Sequence, residues 1–280
     1  MRTGGLLLLA LFCLALMTGT ATADTVHVLA AGSLREVMAA IGDRYQQQTA
    51  TAISGAFGPS GLLRERIEKG EHADLFASAD MGQPLQLQSE GRAVRVVMFT
   101  RNKLCGFATQ KVGLTTANFV DGLLDPAVKL GTSTPKADPG GDYTWAMFHR
   151  IDALRPGSYA ILDKKAQQVV GGPTNNAPVG GKGPVVAAFA NGRIDIFIGY
   201  CSGAKRLQSQ MPELQAAEVS HAIATGPEYG LAGAQGRRSP HPRSGAVHAV
   251  ARWPADLRPT RLFAGDVAGT RALSAVDRLR

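Results

Sequence analysis

A chain of 280 residues, 45% hydrophobic and 19% charged, is long enough to bury one large core or two packed lobes. Its formal charge of +8 is concentrated at one end, because from Leu231 onward nine Arg and no Lys stand against three Asp. The remainder is nearly balanced and has no basic stripe with interleaved aromatics, so the composition argues against a nucleic-acid partner.

Residues 1–23 carry Arg2, an apolar run from Leu6 to Met17 and the small residues Ala21-Thr22-Ala23, the three-part layout of a cleaved secretory signal. The run is shorter than the ~20 residues a membrane-spanning helix needs. A free, soluble, monomeric periplasmic protein is therefore expected.

The exported part opens with Val26-His27-Val28-Leu29-Ala30-Ala31, a buried strand, after which Leu34, Val37, Met38, Ile41 and Tyr45 recur at helical spacing. Residues 51–57 read as a second strand, 62–69 as a helix closed by Gly70, and 73–77 as a third strand. Strands alternating with helices predict an α/β fold built on mainly parallel sheets flanked by helices. Residues 96–100 and 104–108 form a crossing into a second lobe, with a strand at 128–131, a helix at 143–154, a Gly/Pro/Asn-rich loop at 171–184, a helix at 185–190 and an apolar strand at 194–200. A return crossing is expected near residues 201–207. The predicted division is 24–98 for the first part of lobe 1, 99–204 for lobe 2, 205–230 for the return to lobe 1, and 231–280 for an Arg/Pro/Gly-rich tail of low order. That tail reads as a basic extension or as the product of a shifted reading frame. Two cysteines remain after the signal, Cys105 and Cys201, either joined or buried as separate thiols.

Two turns carry the chemistry. Gly32-Ser33 lies between the first strand and its helix, and Phe57-Gly58-Pro59-Ser60-Gly61 repeats the arrangement before the second helix. Ser at a helix start places a hydroxyl beside free backbone N–H groups, a setting that favours an anion. Both turns fall at the carboxyl edge of one sheet, where open α/β sheets bind ligands. Neither serine sits in a Gly-x-Ser-x-Gly elbow and no His is placed as a base, so a hydrolase is the weaker alternative. His27, His149 and His221 read as packed or surface residues, and no Cys/His spacing predicts a metal-cation site. No cofactor is expected.

These residues resemble the periplasmic molybdate-binding proteins of ABC transporters over about residues 26–204. The resemblance rests on Ala30-Ala31-Gly32-Ser33-Leu34, the Ser60 turn, Ile67-Glu68-Lys69-Gly70, Ala73-Asp74-Leu75-Phe76, Pro139-Gly140-Gly141-Asp142-Tyr143 and Ile198-Gly199-Tyr200. It implies a two-lobed periplasmic-binding-protein fold with the ligand cleft between the lobes, molybdate or tungstate as ligand, and a membrane permease as partner. It also implies the ligand set: the hydroxyls of Ser33, Ser60 and Tyr200, a backbone donor at Gly140, and a last backbone donor at Lys182 or Gly183. Sulfate, phosphate, a ferric-ion complex or an organic acid are alternative ligands, with Asp138 or Asp142 able to accept a phosphate proton.

Overall fold

The computed structural model describes residues 25–234. The first lobe begins with β1 (Thr25–Ala31), a single 3-10 turn (Gly32–Leu34) and α1 (Arg35–Thr49), followed by β2 (Ala52–Gly58), α2 (Ser60–Glu68), β3 (Leu75–Ser78), α3 (Gly82–Ser89) and β4 (Ala93–Arg101). The second contains β5 (Leu104–Thr109), α4 (Phe119–Leu124), β6 (Leu130–Ser133), α5 (Pro139–Leu154), α6 (Ser158–Lys165), β7 (Gln167–Val170), α7 (Pro184–Ala190), β8 (Ile196–Tyr200), a 3-10 turn (Cys201–Gly203), α8 (Ala204–Gln210) and β9 (Leu214–Glu218). The final strand, β10 (Glu228–Ala234), rejoins the first lobe.

Each lobe is a five-stranded sheet, ordered β2-β1-β3-β10-β4 in the first and β7-β6-β8-β5-β9 in the second. β1 runs parallel to β2 and β3, and β6 runs parallel to β7 and β8, as the sequence predicts. The antiparallel strand is fourth in both sheets, and in both it is the one that has just arrived from the other lobe: β5 in the second, β10 in the first.

Alternation along the strands supplies two cores per sheet. In the first lobe Val28, Ala30, Leu75, Ala77, Tyr229 and Leu231 pack with Leu34, Met38 and Ile41 on one face. Leu29, Phe76 and Ala232 pack with Leu63 and Leu87 on the other. The second lobe repeats this, with Leu104, Ile196 and Ile198 against Met147, Phe148 and Ile151, and Phe107 and Phe197 against Val186 and Phe189. Cys105 and Cys201 are joined as a disulfide, with Cα atoms 5.0 Å apart, which decides between the two states the sequence left open.

Two expectations are corrected. The return crossing does not lie at residues 201–207: α8 and β9 stay with the second lobe, β9 pairs with β5, and the chain crosses back over residues 219–227. β9 escapes a reading by periodicity because only Leu214 and Ala217 of Leu-Gln-Ala-Ala-Glu point inward. The low-order tail does not begin at Leu231, since β10 runs to Ala234 in the interior of the first sheet and buries Tyr229, Leu231 and Ala232. Its Gly-rich composition suggests a loop, but at Gly230 glycine is demanded by packing, because a Cβ there would stand 2.6 Å from Pro84 Cγ and 2.9 Å from Asp80 O. The predicted signal at 1–23 and the tail beyond 234 lie outside the described residues. Among those residues no helix is long and apolar enough to cross a membrane.

Candidate anion-binding site

The register of β1 with β2 sets Ala31 opposite Gly58, so the turns that follow the two strands are neighbours at one sheet edge. Ser33 occupies the 3-10 turn after β1, and Gly32 beside it faces open space. Ser60 is the first residue of α2 and is 1% exposed. Its Oγ accepts the Ala79 N–H at 3.0 Å, which ties this turn to the one after β3. With that lone pair engaged, the Ser60 hydroxyl hydrogen is left to donate elsewhere. Ser33 Oγ lies 2.9 Å from the Tyr229 hydroxyl.

The second lobe meets these turns directly. The Gly61 N–H donates to Ala137 O at 2.9 Å across the junction. A Cβ at residue 61 would fall 2.3 Å from Lys136 O, so only glycine permits this approach. Lys136 presents its carbonyl there from a left-handed conformation, φ 67°, which is rare for a non-glycine residue.

Tyr200 ends β8 and packs against the cores of both lobes. Its ring is 5.7 Å from that of Tyr229, and a Cβ on Gly140 would lie 3.4 Å from both Tyr200 Cε2 and Ser133 Oγ. The Tyr200 hydroxyl is buried and has no hydrogen-bond partner among the described residues. Burial holds it well above its ordinary pKa, so it is a neutral donor. An unpaired buried hydroxyl costs stability, so the Tyr200 hydroxyl is a donor without an acceptor in the protein itself.

The structure thus gathers Ser33, Ser60, Gly140 and Tyr200 at the lobe junction. None of these contacts involves Lys182. Lys182 is exposed, its backbone N–H donates to Val179 O at 3.1 Å, and a Cβ on the adjacent Gly183 would lie 3.9 Å from Gln210 Oε1 of α8. The amide of Gly140 is also engaged, donating to Asp138 Oδ1 at 2.9 Å as the N-cap bond of α5. Asp138-Pro139 is a strong helix-start signal, and it begins α5 four residues before the predicted position at 143.

Asp138 keeps partial exposure as a residue, while its carboxyl group is enclosed by Gly140, Ser133 and Gly171. Burial pushes its pKa up to about 6, assisted by the charges of Asp142 and Asp80 and opposed by the Gly140 N–H and Ser133. Asp142, whose carboxylate accepts the Lys136 N–H at 2.9 Å, is raised by burial and by Asp80 of the other lobe. Sequence reading missed Asn102, Ser133, Asp80 and Tyr229. Only Asp80 offered a signal, as a carboxylate just ahead of a helix, where its Oδ1 accepts the Gln83 N–H at 3.0 Å. Among the described residues no group of three or more His, Cys, Asp or Glu could hold a metal ion.

Two sheets flanked by helices, with a polar junction between them, are the architecture of binding proteins that close around a solute. The chain belongs to the family described as bacterial extracellular solute-binding protein, which it matches over residues 26–246. It is 40% identical over 185 residues to an uncharacterized protein of Pasteurella multocida, covering 65% of this chain and 76% of that one. It is 29% identical over 183 residues to the molybdate-binding protein ModA of Rhodobacter capsulatus, covering 60% and 68%. Solved structures share the fold at low identity. The periplasmic molybdate-binding protein of Azotobacter vinelandii aligns with a TM-score of 0.63 at 14% identity, over 88% of this chain and all of that one. The sulfate-binding protein SubI of Mycobacterium tuberculosis aligns with 0.64 at 14%, over 81% and 79%, and iron-bound HitA of Pseudomonas aeruginosa with 0.60 at 15%, over 89% and 90%.

Proposed function

We propose that this protein captures a tetrahedral oxyanion, molybdate or tungstate, in the periplasm and delivers it to the membrane permease of an ABC importer. The observation that carries the reading is the buried, unpartnered Tyr200 hydroxyl beside Gly140, at the same junction as two serine turns. The Ser60 oxygen is engaged by a backbone N–H, so the hydrogens of Ser60 and Tyr200 both remain for a ligand. A site made of donors suits an anion with no proton to give. Hydrogen bonds to a charged group contribute roughly 1.5 to 3 kcal/mol each, so three hydroxyls supply about 5 to 9 kcal/mol. Nanomolar binding needs about 12 kcal/mol, and backbone amides of the first-lobe serine turns other than that of Gly61 would make up the rest. The molybdate-binding relative in Rhodobacter capsulatus supports the same ligand. Lys182 has no part in this reading, and a donor role for Gly140 would require its amide to leave Asp138. The ligand is the only bound group proposed, with no separate cofactor, and the working unit is a monomer.

Asp138 favours a second reading, an oxyanion that carries a proton, such as hydrogen phosphate, because a buried carboxylate can accept that proton. Isothermal titration with molybdate, tungstate, sulfate and phosphate separates the two. Molybdate and tungstate far ahead of the others is the expected order, and a preference for phosphate replaces the first reading with the second.

A further inference from the structure

Asn102 and Tyr229 form a hydrogen-bond chain that ends on Ser33. Asn102 lies in the two-residue crossing between β4 and β5, and its Oδ1 accepts the Lys103 N–H at 2.9 Å. That contact fixes which end of the amide is oxygen. The two hydrogens on Nδ2 then go to Ser202 Oγ at 2.8 Å and to the Tyr229 hydroxyl oxygen at 2.9 Å. Asn102 is therefore fully used, and at Tyr229 it can only donate.

Tyr229 is completely buried, so its own hydroxyl hydrogen needs an acceptor. Ser33 Oγ, at 2.9 Å, is its other partner among the described residues. The direction of the chain follows: Asn102 donates to Tyr229, Tyr229 donates to Ser33, and the hydrogen of Ser33 is left over. Ser33 retains partial exposure at the junction, where that hydrogen can meet a ligand. This is the condition that the Ala79 N–H imposes on Ser60, reached there by a backbone group.

We infer that Asn102 and Tyr229 are positioning and specificity-determining residues, which act through Ser33 to hold it as a donor and so favour fully deprotonated oxyanions over protonated ones. This rests on the oxyanion site proposed above. Were the chain reversed, Ser33 would present a lone pair, which repels a bare anion and accepts from one that bears a proton. The lobe crossing thereby sets the polarity of a residue in the first lobe.

A double-mutant cycle on the full chain tests this, with sodium molybdate as the probe in isothermal titration at pH 8 and thermal melting to verify folding. Ser33→Ala and Tyr229→Phe are each expected to weaken binding about tenfold, the scale of one hydrogen bond to a charged group. The Ser33→Ala/Tyr229→Phe double variant should bind as weakly as Ser33→Ala alone, because both changes act through one hydroxyl. A Tyr229→Phe effect of equal size with and without Ser33 would show a merely structural role and overturn the inference, as would wild-type affinity in Tyr229→Phe.

Asn102→Asp adds the orientation test, since a carboxylate can only accept from Tyr229 and so reverses the chain. At pH 8 molybdate and hydrogen phosphate are both dianions, so general charge repulsion affects them alike. The molybdate-to-phosphate affinity ratio is expected to fall about tenfold, again one hydrogen bond to a charged group. An unchanged ratio overturns the inference. Unaltered affinity in Ser33→Ala, or no oxyanion binding by the wild type, would instead overturn the proposed site, and the relay with it.

Discussion

The helix that starts at Ser60 in the first lobe has no side chain capping its first amides, whereas the one that starts at Pro139 in the second is capped by Asp138. Ser60 has a hydroxyl hydrogen to spare, while the Gly140 amide is already spent on a carboxylate. The free donor of the second lobe is instead the unpartnered Tyr200 hydroxyl. The difference teaches that matching strand order does not imply matching roles: one lobe presents donors at its helix starts, and the other brings a tyrosine and a titratable group.

The largest way to break this comparison is to part the lobes. Gly61→Val places side-chain atoms against the carbonyls of Lys136 and Ala137, so closure is lost and oxyanion affinity measured by titration should fall by about 100-fold or more, ~2.7 kcal/mol. Ser60→Ala removes a donor from the first lobe only. It should weaken binding by about 1 to 3 kcal/mol in the same assay, with part of the loss reflecting the Ala79 N–H left without its acceptor.

The second lobe's carboxyl is probed by pH. Asp138 has its pKa raised to about 6, so its ionised form is disfavoured in the folded state and its protonated form suits a neighbouring anion. Its contribution to stability is complete below the ordinary carboxylate value and is lost as pH rises through about 6. Oxyanion affinity should therefore strengthen severalfold, on the order of half a pH unit of linked protonation, as pH falls from 7.5 to 5.5. Asp138→Asn, which still caps the helix, should flatten that profile. The smallest effect is Lys182→Ala, where unchanged affinity is expected because the side chain is exposed and the backbone N–H, which the substitution keeps, is taken by Val179 O. A tenfold loss there would return residue 182 to the ligand set.

The first lobe was largely legible in the sequence because Val26 to Ala31 and Ala73 to Ala77 are apolar but for His27 and Asp74, and the two Ser turns sit where a strand hands over to a helix. The return strand was not. Gly230, Ala232 and Gly233 offer little strand propensity, and the lack of a side chain at Gly230 answers to neighbours distant in sequence, Pro84 and Asp80. The relay through Asn102 was illegible for a similar reason, since its partners Ser202 and Tyr229 lie 100 and 127 residues away. At Lys182 the long loop before it allows several alignments with the resembling family, and the local Val179 pairing, which the sequence does not announce, claims its amide.

The exchange of antiparallel strands has a consequence for how the molecule is completed. A growing chain holds every strand of the second sheet once residue 218 has emerged, so that half can mature as a continuous piece. The first sheet stays split between β3 and β4 until residues 228–234 slot between them. The half that is begun first is finished last, and Tyr229 enters its relay only with that closing step.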